Sequence, residues 1–221
     1  MEILDVGDPR APDLATSLAA VVTIHEHAFR GFFLTALGRP FLRQYYLAVA
    51  RYPQGIFLVA DVDGGVAGFA AGFRRPERFY ATLRSRWPRL ALPIVLGLAR
   101  RPRLLLAVLG GVRRVVRGRA GTAASPGVGG GPAATVELAS IAVSPAHAGR
   151  GVGRALLDAF NARAGAMGAA RVVLTTDRDG NEQVVGFYTG AGFEIDGEFV
   201  QGRRRRMLRL CKRLGAGASG G

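Results

Sequence analysis

The chain has a single cysteine in 221 residues, Cys211, which excludes an internal disulfide and any cysteine-cluster metal site. A lone thiol fits a reducing compartment, and on a strand it reads as a small buried side chain. Histidine is also scarce, at three residues. His147 stands in a glycine-rich turn without a His, Cys or paired carboxylate at ligand spacing, so no metal is expected. Long apolar runs are missing too. The longest, Leu90 to Ala99, falls well short of the roughly 20 residues that span a bilayer. Met1 to Ser17 carries Glu2, Asp5, Asp8 and Asp13 and lacks a basic start followed by an apolar run, so no signal peptide is read there. A cytoplasmic location is expected, with peripheral contact to a membrane surface left open.

Acidic residues are few: 16 Asp and Glu stand against 30 Lys and Arg, for a formal charge of +14. This excludes an acidic tail and favours an anionic partner, whether a phosphate-rich ligand, nucleic acid or a membrane. The excess is concentrated between Arg74 and Arg119, which hold thirteen arginines and one acid, Glu77. That stretch reads as helices broken at Pro88, Pro93 and Pro102. A Gly/Pro/Ala/Ser/Thr-rich linker follows at 120–134. Leu104, Leu105, Val108, Leu109, Val112, Val115 and Val116 share one helical face opposite a basic one. Such a face suits packing on the core, a lid over a substrate, an anionic membrane or a dimer contact.

With 49% hydrophobic residues, 221 residues make one domain with a sizeable core, spanning 1–221 and carrying the basic insertion at 74–119. Helical spacing runs from Asp13 to Phe29 and from Arg39 to Tyr52. Ile56 to Ala60 and Val66 to Phe73 flank Asp63-Gly64, a hairpin signal. After the linker come a strand at Thr135 to Val143, a helix at Gly151 to Met167, a strand at Arg171 to Thr176 and a short helix at Asn181 to Thr189. Strands at Phe193 to Phe199 and Arg204 to Cys211 close the chain. The order predicts an α/β fold with a mixed sheet flanked by helices.

The most informative run is Ile141-Ala142-Val143-Ser144-Pro145 followed by Ala148-Gly149-Arg150-Gly151-Val152-Gly153-Arg154. A buried strand ends, a glycine-rich turn follows and an amphipathic helix begins. Glycines let the backbone approach a ligand, and the free N–H groups of the helix start form a pyrophosphate cradle. A Rossmann turn would follow the first strand, with an acid about 20 residues on, and a P-loop would need Gly-Lys-Ser/Thr; neither pattern is present.

This run resembles the loop of the GNAT superfamily of acyl-CoA-dependent N-acetyltransferases, Gln/Arg-x-x-Gly-x-Gly/Ala after a strand ending in Val-x-Pro. Alanine stands here at the first position. A second stretch, Asn181-Glu182-Gln183-Val184-Val185-Gly186-Phe187-Tyr188 with Gly192-Phe193, is similar to the family's Asn-x-x-Ala-x-x-x-Tyr-x-x-x-Gly-Phe. The resemblance covers roughly Thr135 to Gly197.

It implies a splayed mixed sheet, with the helical insertion preceding the cofactor-binding strand and acetyl-CoA as co-substrate. Ile141, Ala142 and Val143 would bind the pantetheine arm. Gly149, Arg150, Gly151, Val152, Gly153 and Arg154 would hold the pyrophosphate, and Asn181 would join them. The implied reaction is direct acetyl transfer to a primary amine of a small molecule, amino sugar or peptide, and anionic or lipid-linked acceptors would suit the basic stretch. Tyr188 occupies the family's general-acid position; a packed aromatic is the plainer reading.

Glu137 is the candidate base, as the one acid between Glu77 and Asp158 and on the strand leading to the cradle. Strict alternation would put it on a face with Ala139, Ile141 and Val143, where apolar neighbours would raise its pKa. Its plainer reading is an edge carboxylate paired with an arginine. His25, Phe29 and Phe32 are expected near the acceptor pocket. The alternative from another class is a nucleic-acid- or membrane-surface-binding module using the Arg-rich stretch. The absence of interleaved aromatics makes nucleic acid a poorer fit.

Overall fold

A computed structural model describes residues 1–85, 134–201 and 205–215. Its sheet has the order β1-β2-β3-β4-β5-β7-β6. The strands are β1 (Glu2–Asp5), β2 (Gly55–Val62), β3 (Gly65–Arg74), β4 (Thr135–Val143), β5 (Arg171–Asp177), β6 (Glu194–Gln201) and β7 (Arg205–Arg213). The helices are α1 (Leu14–Ala28), α2 (Phe33–Ala36), α3 (Arg39–Ala50), α4 (Pro76–Ser85), α5 (Val152–Ala166) and α6 (Glu182–Thr189).

Local chemistry sets the boundaries. The Asp13 carboxylate accepts the N–H groups of Ala15 and Thr16 at 2.9 and 3.1 Å and starts α1. The β2–β3 turn uses Asp63 and Gly64 with φ of 54° and 80°, the doubly left-handed turn that the Asp-Gly pair predicts.

The core lies in two layers. On one face, α1, α3 and α4 cover β1 to β4 through Leu18, Val21, Leu42, Tyr45, Tyr46, Phe69 and Phe73. On the other, α5 and α6 cover the sheet through Leu156, Leu157, Phe160, Val172, Leu174 and Leu210. The expected elements are present among the described residues, and two that were not expected, β1 and α2, join them. β1 pairs with β2 at the sheet edge, and α4 occupies the start of the stretch read as an insertion. Phe79 of α4 is buried and stacks on Phe73 at 4.0 Å, so residues 74–85 belong to the packed domain. The remaining stretch read as basic helices and linker, 86–133, lies outside the described residues.

Two features of β4 shape the centre of the molecule. Every neighbouring pair of strands is antiparallel except β4 and β5, which run parallel and pair only from Thr135–Arg171 to Glu137–Val173. Beyond Glu137 the two strands diverge, as the splayed sheet predicted, and Leu138 to Val143 present an edge to β5 without a strand partner.

The second feature corrects the alternation. Register against β3 jumps from Ala71–Ser140 to Gly72–Leu138, which leaves Ala139 as a bulge. The extra residue reverses the phase. Glu137 lies on the α1/α3/α4 face, where Ala142 also packs, while Ile141 and Val143 turn to the α5 side with Val136 and Leu138. Glu137 therefore shares its face with Ala142 rather than with Ile141 and Val143.

Candidate active site

The cradle forms at the start of α5. Gly149 and Gly151 have φ of 75° and 78°, and Arg150 stands between them, a backbone sequence that turns successive N–H groups to one side. The helix has no side-chain cap and no acid in its first turn. The first backbone bond of the helix is Ala155 N–H to the Gly151 carbonyl, and the six N–H groups from Gly149 to Arg154 have no carbonyl partner among the described residues. Uncapped donors on a positive helix end suit a pyrophosphate. A Cβ on Gly153 would touch Val143 and Phe187 at 3.5 to 3.8 Å, so this glycine sits where the end of β4, α5 and α6 converge.

Side chains around the cradle differ from expectation. Arg150 is exposed and keeps its charge available. Arg154 is committed elsewhere: its Nε donates to Asp158 at 2.9 Å and its Nη1 to the Gly190 carbonyl at 3.1 Å, which ties α5 to the end of α6. Its backbone N–H remains a donor, while its guanidinium is engaged by Asp158 and the Gly190 carbonyl. Asn181 likewise spends its amide on the Thr176 hydroxyl at 2.7 Å and the Asp177 carbonyl at 3.0 Å, holding the loop between β5 and α6. Of these partners, Asp158 is a local i,i+4 pair legible on the helix, while Gly190 is far from Arg154 in the chain.

Two titratable groups bear on the chemistry from opposite layers, Glu137 on the α1/α3/α4 face where the strands part and Tyr188 in the α5/α6 layer. Glu137, at the last paired position of β4, is half-buried and accepts a hydrogen bond from the Tyr80 hydroxyl at 3.2 Å. Burial pushes its carboxyl up to about 7, against the opposing pull of that hydrogen bond. Tyr80 of α4 was not among the sequence candidates, because it lay inside the stretch read as an insertion. Tyr188 of α6 is buried against Phe187 and Phe193, and its hydroxyl has no hydrogen-bond partner among the described residues. Burial raises the phenol well above its ordinary range, so it stays protonated near neutral pH.

The three residues expected at the acceptor pocket form a chain of ring contacts that starts in the core. His25 is buried in the core, its Nδ1 2.6 Å from the Tyr46 hydroxyl, which also bonds Ser140 of β4. Burial lowers its pKa to about 4, which leaves it uncharged at neutral pH. Its ring lies 4.6 Å from that of Phe29, and Phe29 meets Phe32 edge-on at 5.5 Å. Phe32 alone reaches the opposite arm of the sheet, where the Arg205 guanidinium lies 4.4 Å above its ring. Among the described residues, no group of three or more His, Cys, Asp or Glu could hold a metal, and no helix is long and apolar enough to cross a membrane.

The model of the Acetyltransferase (GNAT) family matches residues 18–193, and the chain belongs to this family. It is an acyltransferase of the N-acetyltransferase type. A ribosomal-protein-alanine N-acetyltransferase from Brucella melitensis superposes with a TM-score of 0.59 at 17% identity, covering 97% of this chain and 100% of that one. Ard1 from Thermoplasma volcanium gives 0.56 at 15% identity over 96% and 97%. An aminoglycoside 6'-N-acetyltransferase complexed with coenzyme A gives 0.55 at 12% identity over 96% and 97%. At these identities the likeness is one of fold. No curated protein matches in sequence. The binding-module alternative rests on residues 86–119, outside the described ones, and gains no support.

Proposed function

We propose that the chain transfers an acetyl group from acetyl-CoA directly to a primary amine. The observation that carries this reading is the uncapped start of α5, with six unpartnered N–H groups, beside the unpaired edge of β4. The residues fit the group: Gly149 to Arg154 would hold the pyrophosphate, with Arg150 adding charge, and the edge of Ile141 to Val143 would hold the pantetheine amides. When bound, acetyl-CoA supplies an acyl group activated as a thioester.

The chain's own groups then manage two protons. The transfer forms an N–C bond and breaks a C–S bond, so one proton leaves the amine nitrogen and one joins the departing sulfur. Glu137 takes the first, directly or through water. A carboxyl near 7 is half ionised at neutral pH and can both accept and release the proton. Tyr188 hydrogen-bonds or protonates the sulfur through its free hydroxyl. No covalent enzyme intermediate is required.

The test is a thermal melt with acetyl-CoA on the wild type and on Gly153→Glu. Gly153 is chosen because its backbone is not left-handed and its side chain would point at Val143 and Phe187. Ligand at 100 times its Kd adds about 2.7 kcal/mol, or about 5–11 °C for a domain of this size. A shift that vanishes in the folded variant supports the reading. No wild-type shift at millimolar acetyl-CoA refutes it.

A further inference from the structure

Arg205 opens β7 and Asp177 closes β5. They lie on the same face of the sheet as Glu137. On β5, Val172 and Leu174 point into the α5 layer, so Val173, Thr175 and Asp177 point the other way, toward the α1/α3 side. Arg205 donates through Nε and Nη2 to the two carboxylate oxygens of Asp177, the second at 2.5 Å, and stacks 4.4 Å above the Phe32 ring. Ring and carboxylate together fix the plane of the guanidinium. The fork uses only one edge. The other, Nη1 with the second hydrogen of Nη2, has no acceptor among the described residues, and the side chain is 37% exposed.

A guanidinium held in this way presents a rigid pair of donors to a second anion. Its neighbour Arg206 also pairs with a carboxylate, Asp179. Among the described residues it has no ring beneath it, and strand alternation turns it to the opposite face from Glu137.

We propose that Arg205, clamped between Phe32 and Asp177, determines acceptor specificity by binding a carboxylate or phosphate carried by the amine substrate. The inference rests on the acetyl-transfer reading above. Asp177 lies four residues along β5 from Val173, the partner of Glu137, or about 13 Å at strand rise. That separation exceeds the reach of a free α-amino acid, so the amine and the anion belong to different parts of the acceptor. The chain's +14 charge adds long-range attraction of the same sign.

The test uses acetyl-CoA with two matched pairs of acceptors. One pair is a C-terminally amidated tetrapeptide with a free N-terminal alanine and either Glu or Gln at its third position; the other carries phosphoserine or serine at that position. Thiol release gives kcat and KM. The wild type should favour the anionic member of at least one pair by about tenfold or more in KM, and the responding pair identifies carboxylate or phosphate as the source. In Arg205→Gln combined with Asp177→Asn, which leaves no bare carboxylate, the preference should collapse while kcat stays within a few-fold. Phe32→Leu, which keeps the charge but removes the stack, should raise KM for the anionic member alone.

Equal use of both members by the wild type overturns the inference, as does a preference that survives the double variant or a loss that falls equally on all four acceptors. Thermal shifts with acetyl-CoA separate the two readings. A wild type that is stabilised by acetyl-CoA yet acetylates none of the four refutes the specificity and leaves acetyl-CoA binding standing. One that is not stabilised refutes both.

Discussion

Replacing Glu137 by Gln should change how folding stability depends on pH, with no ligand present. Two groups on the same face of the sheet act in opposite directions. Burial raises Glu137 from 4.5 to about 7, so the folded chain binds that proton more tightly than the unfolded chain. Stability from this source is highest in acid and falls as pH climbs from 4.5 to 7. Burial lowers His25 from 6.5 to about 4, so the unfolded chain takes up its proton first. Stability from His25 is complete above pH 6.5 and is lost as pH falls toward 4.

Each effect amounts to about 3 kcal/mol at 1.36 kcal/mol per pH unit. In the wild type the two slopes nearly cancel between pH 4.5 and 6.5. In Glu137→Gln only the histidine slope remains, so the variant should lose about 2–3 kcal/mol, relative to the wild type, between pH 6.5 and 4.5. Urea denaturation followed by circular dichroism at four pH values measures this, and the remaining carboxylates are common to both chains. Parallel stability curves for the two proteins would refute the opposed burial of Glu137 and His25. His25→Phe supplies the mirror image: its stability should rise relative to the wild type as pH falls.

Tyr188→Phe should lower kcat about 10²-fold, with acetyl-CoA stabilisation in thermal melts unchanged, because the ring packing survives and only the free hydroxyl is lost. An unaltered kcat would remove Tyr188 from the chemistry. Gly72→Ala should cost about 3 kcal/mol or more by urea denaturation, since a Cβ there would overlap the Glu137 carbonyl oxygen and lie 2.5 Å from the Phe160 ring. A loss below 1 kcal/mol would show that β3 and α5 pack less tightly around this point than the geometry requires.

The parts of the fold legible in the sequence are those set by local chemistry. Asp63-Gly64 announces its own turn, and the strand, glycine turn and helix from Thr135 to Ala166 carry their periodicities openly. α4 was read as a helix of the basic stretch, but its place in the core was hidden because its arginines joined it to the residues that follow, although Phe79 and Leu83 supply a buried stripe. The bulge at Ala139 leaves no mark in composition: alanine suits either phase, and only the register against β3 reveals the extra residue. The commitments of Arg154 to Gly190 and of Phe32 to Arg205 join residues far apart in the chain, where single-sequence reasoning has nothing to pair. Candidate residues were thus identified by type, while their partners required the fold.

The short pairing of β4 with β5 places an edge strand inside a sheet. Unpaired ladders ordinarily belong at the rim, where charge, proline or a covering helix guards them against stray association. Here the unpaired side of Leu138 to Val143 lies within the sheet, between β3 and the diverging β5, rather than at its rim. It suits a slender guest with amides spaced like a peptide's, which would act as a surrogate strand and complete hydrogen bonds without breaking any that the protein already has.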